Sequence, residues 1–258
     1  MGFIKVKGHD LHYRFLCEEY RKPENPVIVF LHEGLGSIPQ WKEFPSAICE
    51  KLKLPGLLYE RYGYGQSDIL EEERDKYYLI YEGIEALPEL LEELRIKNKL
   101  ILIGHSDGAS IALAYASKYS NKICCLIAEA PHVFIEDISA RGIEITIRAF
   151  ENTKLKSSLE KYHGHRTESM FYGWANTWTR KDNFDWNMEH LLADISCPVF
   201  VIQGEDDEYG SDKQVYSIVN KVSGPAKSLL IPDCGHTPHF QMTEIVMNEM
   251  ASYINTYK

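Results

Sequence analysis

The sequence lacks any run approaching the roughly 20 apolar residues that a membrane-spanning helix needs, so an integral membrane protein is not expected. It also lacks an apolar stretch behind its first charges. Met1-Gly2-Phe3-Ile4-Lys5-Val6-Lys7-Gly8 alternates apolar and polar and reads as a first strand, not a leader. Basic residues are in deficit: 28 Lys and Arg face 38 Asp and Glu, which speaks against nucleic acid or an anionic membrane as partner. Six cysteines are present, none in C-x-x-C spacing, and Cys124-Cys125 lies in an apolar run where a thiol acts as a small hydrophobe. No disulfide framework is implied at this length, and the expected location is the cytoplasm with reduced thiols. Repeats and low-complexity tracts are absent. Gly63-Tyr64-Gly65 is too short for a dinucleotide fingerprint, and His236-Thr237-Pro238-His239 lacks the spacing of a metal site. Neither a cofactor nor a metal is therefore expected.

What is present is an alternation of strands and helices. At 258 residues the chain can bury a large core as one unit with an insertion. Strand candidates are Val27–His32, Gly56–Glu60, Leu100–Gly104, Ile123–Ala128, Val199–Gln203 and Ser228–Ile231. The central ones are continuous apolar runs, as parallel strands covered on both faces should be. Helix candidates are Trp41–Leu52, Tyr78–Leu94, Asp107–Tyr119 and Thr243–Asn255. The alternation implies an α/β protein: a mostly parallel sheet with helices on both faces. Residues 134–193 have a different texture, mainly helical and holding Trp174, Trp178 and Trp186. Following a strand end, such an insertion lies over the ligand crevice. The expected division is a core of residues 1–133 and 194–258 and an inserted segment of 134–193.

Gly104-His105-Ser106-Asp107-Gly108 sits between the run Leu100–Ile103 and the helical stretch from Ala109. A G-x-S-x-G pentapeptide in a strand–turn–helix setting is the signature of a nucleophile elbow. A Gly-flanked turn with a capping Ser would look the same locally. The rest of the chain separates the two readings. A serine nucleophile needs a base, and the base needs an orienting acid. Gly204-Glu205-Asp206-Asp207 follows one later strand, and Asp233-Cys234-Gly235-His236 follows another. The order Ser106, Asp207, His236 is the chain order of one common fold.

That order, with Leu31-His32-Glu33-Gly34-Leu35-Gly36-Ser37 and Glu60-Arg61-Tyr62-Gly63-Tyr64-Gly65-Gln66-Ser67, resembles the α/β-hydrolase fold over nearly the whole chain. The resemblance implies a helical cap at 134–193. It implies Ser106 as nucleophile, His236 as base and Asp207 as acid, with Asp206 and His239 as competitors. It implies an oxyanion hole from the backbone N–H groups of Gly34 and Asp107. Glu33 stands where the family has glycine, and Glu60 where it has Asp. An ionised carboxylate 4 Å from an oxyanion costs roughly 4 kcal/mol at an effective dielectric of 20. Glu33 therefore either turns away and pairs, for instance with Arg61, or points in with a task.

His132, at a strand end, and Trp174 and Trp178, four apart on one helix face, join Glu33 as candidate substrate-binding residues. The Trp pair could equally pack the insertion on the core. His32 and His105 are expected as buried hydrogen-bonding groups. The leading function is hydrolysis of a small carboxylic ester or related acyl bond through an acyl-enzyme. Alternatives are a C–C bond hydrolase or lyase using the same residues, and a small-molecule receptor on the same fold. The partner is a small-molecule substrate, and the chain is a monomer or homodimer.

Overall fold

The apolar runs become the middle of one eight-stranded sheet in a computed structural model that describes Met1–Lys258. The strands are β1 (Gly2–Val6), β2 (His9–Leu16), β3 (Val27–Leu31), β4 (Gly56–Tyr59), β5 (Leu100–His105), β6 (Ile123–Glu129), β7 (Val199–Gly204) and β8 (Ala226–Ile231). Their order is β1-β2-β4-β3-β5-β6-β7-β8. Strands β4, β3 and β5 to β8 run parallel, while β2 is antiparallel to both neighbours.

Period-two alternation divides each buried strand between two cores. Val27, Val29, Leu31, Leu100 and Leu102 face one apolar cluster, and Ile28, Phe30, Ile101 and Ile103 face the other. The helices are α1 (Phe44–Leu52), α2 (Tyr78–Tyr81), α3 (Leu87–Glu93), α4 (Asp107–Tyr119), α5 (Asp137–Asn152), α6 (Leu155–His163), α7 (Thr167–Thr179), α8 (Asp212–Lys221), α9 (Pro238–Gln241) and α10 (Thr243–Tyr257). Helices α2, α3, α4 and α8 supply the first cluster with Leu79, Leu90, Leu113 and Ile218. Helices α1 and α10 supply the second with Ile48, Leu52, Val246 and Met250. Helices on both faces explain why the central strands need no polar side.

The helix expected from Trp41 begins at Phe44. Lys42 adopts φ 50°, ψ −134°, which ends a 3₁₀ turn over Ile38–Trp41 and restarts the chain. The helix expected over Tyr78–Leu94 is interrupted by a π-helical turn at Glu82–Ala86. Pro88 has no N–H for the Ile84 carbonyl, which instead lies 3.5 Å from the Tyr119 hydroxyl. Helices α5 to α7 fill the insertion between β6 and β7, and a single antiparallel bridge joins Phe134 to Asn187 near its two ends. All six cysteines are free thiols. No helix is long and apolar enough to cross a membrane.

Candidate active site

Strand β5 ends at His105, and α4 begins two residues later. Ser106 between them has φ 54°, ψ −120°, outside the range L-residues favour. Such a residue costs on the order of 1–3 kcal/mol and persists only when its surroundings dictate it. Here its N–H donates to the Glu129 carbonyl at 2.8 Å, which ties the turn to β6. The flanking glycines permit the close approach: a Cβ at Gly104 would lie 2.3 Å from the Gly108 carbonyl, and one at Gly108 1.9 Å from that of Leu31. The serine hydroxyl is thus held at the positive end of α4.

The loop after β8 brings His236 to this serine. Its Nε2 is 2.9 Å from Ser106 Oγ, and its Nδ1 is 2.9 and 3.0 Å from the two Asp207 oxygens. Neutral His236 therefore carries its proton on Nδ1, leaving Nε2 to accept from the serine. Burial opposes the charge on Asp207, but His236 and the Tyr209 N–H, which donates at 2.8 Å, outweigh it and hold the carboxyl below its usual range. Burial likewise opposes the imidazolium of His236. The Asp207 charge and hydrogen bond, aided by Glu208 and Glu129, reverse that and place its pKa above 6.5.

The competing residues go elsewhere. Asp206 is exposed. His239 is buried against Glu129, donating its N–H at 2.6 Å and its Nδ1 at 2.9 Å. His105 stands between the two histidines and donates Nε2–H to the His236 carbonyl at 2.7 Å. Burial drives the His105 pKa down to about 3, so it stays neutral. The buried Glu129–His239 pair was not expected, because its members are 110 residues apart and share no local motif.

The loop after β3 forms the facing wall. Its Gly34 N–H and the Asp107 N–H have no protein acceptor. His32 is buried and kept neutral by desolvation and by Arg61. Its Nδ1 reaches the Glu33 carbonyl at 2.8 Å, and its Nε2 accepts the Arg61 N–H at 3.3 Å. Glu60 is fully buried and accepts from Ile38 N–H at 3.0 Å and Gln66 N–H at 2.7 Å, so it knits this loop to the one after β4.

The Arg61 pairing considered for Glu33 is not formed. The guanidinium donates to the backbone carbonyls of His32 (2.5 Å) and Glu33 (3.0 Å) and lies 3.7 Å from Asp107. Glu33 instead lines a cavity of about 260 Å³ with Gly34, Ser106 and His236. Asp107 is also tied by the Tyr78 hydroxyl at 2.5 Å and by His132 Nε2 at 3.3 Å. His132 lines the same cavity, with its backbone clamped by Ser110 Oγ.

Trp174 and Trp178 are buried in the core contacts of α7, and both also line the cavity. Trp174 packs on the loop after β3, since a Cβ at Gly34 would lie 2.2 Å from its Nε1. Trp186 is buried against Trp178 and does not reach the cavity. Leu35, Gln40, Ile143, Leu159 and Tyr209 also line it. Only their places in the fold, not any motif, bring them there.

A model of the alpha/beta hydrolase family matches residues 28–248. The chain belongs to this family. A proline iminopeptidase from Saccharolobus solfataricus is 32% identical over 130 residues, 50% of this chain and 40% of that protein. The chain thus aligns with under half of that relative's length. The human serine hydrolase BPHL is 24% identical over 255 residues, 93% of this chain and 81% of that one. Among solved structures, the enol-lactonase from Burkholderia xenovorans superimposes with a TM-score of 0.76 at 16% identity, covering 98% of this chain and 99% of that one. This alpha/beta hydrolase keeps the family fold, and Glu33 is one of the residues lining its cavity.

Proposed function

We propose that this alpha/beta hydrolase cleaves a small carboxylic ester or related acyl bond through an acyl-enzyme on Ser106. The observation that carries the reading is the unbroken line from Ser106 Oγ through His236 to Asp207, open to a largely apolar cavity. In this reading Ser106 Oγ attacks the acyl carbon while His236 Nε2 takes its proton. His236 then returns the proton to the leaving group, and Asp207 keeps Nδ1 protonated and stabilises the imidazolium. The free N–H groups of Gly34 and Asp107 receive the oxyanion. Water repeats the sequence to release the acid. Residues 134–193 act as a cap, with Trp174 and Trp178 as the aromatic wall of the acyl or alcohol pocket. Relatives named iminopeptidase, serine hydrolase and enol-lactonase support this class.

An alkyl fluorophosphonate probe tests the reading. One equivalent should bind, and digestion should place it on the Ser106 peptide. Absence of labelling, or labelling elsewhere, overturns the nucleophile and favours a receptor.

The pH dependence has a fixed sign. His236 acts as base only when neutral, and its pKa is raised above 6.5. Thus kcat/KM should rise with pH through one ionisation lying above that value and level off beyond it. A profile flat from about pH 5 to 8 removes His236 from the base role.

A further inference from the structure

Among the polar side chains that line the cavity, Glu33 has no protein partner for its carboxylate. No Lys, Arg or His lies within ion-pair distance of it, and the only protein donor near it is its own N–H. Arg61 bonds the Glu33 backbone carbonyl instead. The carboxylate is packed in place: a Cβ at Gly36 would lie 2.1 Å from Glu33 Oε2. Glu33 lines the space shared with Ser106, His236 and Gly34. Burial raises its pKa, so the free protein holds this charge at a cost that His239, Arg61 and His236 offset only in part. A carboxylate one residue from a proposed oxyanion amide also opposes the charge that acyl transfer develops. Both costs vanish if the bound molecule brings a positive charge of its own.

We infer that Glu33 is a specificity residue that binds an ammonium group carried by the substrate within a few atoms of its scissile carbonyl. The substrate class is an amino-substituted ester or related acyl compound whose remaining surface is apolar. The cation would pair with Glu33, while the aliphatic and aromatic wall formed by Ile143, Leu159 and Trp174 takes the hydrocarbon part. Proximity of the cation to the oxyanion would turn an opposing field into a favourable one. The inference uses the acyl-hydrolase reading to place the substrate, but a binding measurement tests it separately.

Two pairs of esters differ only by nitrogen for carbon. They are 2-(dimethylamino)ethyl butyrate against 3-methylbutyl butyrate, and ethyl 4-(dimethylamino)butanoate against ethyl 5-methylhexanoate. The first pair puts the cation on the alcohol side and the second on the acyl side. Binding to the Ser106→Ala protein, which cannot turn them over, is followed by tryptophan fluorescence at neutral pH. In at least one pair the amine should bind about tenfold tighter or more, the scale of one charge-assisted contact. Adding Glu33→Gln should erase that preference. Glu33→Met serves the same comparison if the Gln protein does not fold. Equal binding within both pairs overturns the inference, as does a preference that survives loss of the carboxylate. If Ser106 is not the nucleophile, the Ser106→Ala protein still releases acid from the esters, and the preference within each pair is then read from their KM values.

Discussion

Ser106→Ala should abolish turnover of short-chain aryl esters, with a loss on the order of 10⁶, as removing a serine nucleophile from a working triad does. Stability should change little. The hydroxyl makes one hydrogen bond, to His236 Nε2 in a cavity wall, and α4 keeps its backbone contacts with Leu31 and Glu129. The strained φ at position 106 remains, because alanine meets the same turn. Ester hydrolysis by purified protein, with circular dichroism as control, checks this. A folded Ser106→Ala protein working near the parental rate would exclude Ser106 as nucleophile. The residue's surroundings argue against that result: the turn holds a buried hydroxyl 2.9 Å from one imidazole nitrogen.

How far the sequence revealed this arrangement depended on the range of each constraint. The elbow was legible because its requirements are local: a strand, two glycines that allow close packing, and a helix. Gly204 and Gly235 marked the two loops at the sheet edge, so the meeting of Ser106, Asp207 and His236 could be expected before any coordinates. The neighbour that each loop would present was not legible in the same way. Asp206 and Asp207 differ by one step of a turn, and only the fold makes one exposed and the other buried. Gly235 favoured His236 over His239, but what His239 does instead rests on Glu129, a partner far away in sequence.

Strand β2 carries little local signal because His9-Asp10-Leu11-His12-Tyr13-Arg14 interleaves polar residues, and its burial comes from β4 and from Ser67 and Glu60. Its hairpin turn, Lys7-Gly8 with both φ positive, is a weak local cue. Helix α8 has an amphipathic face, but at ten residues between two short strands its periodic signal is weak. The direction of Glu33 could not be read at all. A carboxylate after His32 can pair or point inward, and Arg61 chose the backbone.

Asp207→Asn is expected to cost on the order of 10⁴ in turnover, the scale seen when a triad acid becomes an amide, while Asp206→Asn should leave the rate nearly unchanged. The asymmetry follows from the hydrogen atoms. Asp207 is an acceptor only, and both its oxygens lie within 3.0 Å of His236 Nδ1. An amide there can donate to Nδ1 and so favour the proton on Nε2, where it faces Ser106 Oγ and blocks its ionisation. The imidazolium formed in each step would also lose the charge that lifts its pKa above 6.5, so the remaining activity should titrate at lower pH than in the parent. Glu129 cannot take over, since its oxygens already hold the backbone and ring of His239. Asp206 cannot either, because it is exposed at the loop surface. Measuring both variants on one aryl ester across pH decides the matter. If Asp206→Asn proves the more damaging, the acid is Asp206 and the loop rearranges in solution. If both variants keep parental rates, His236 needs no carboxylate and the acyl-transfer line ends at the imidazole.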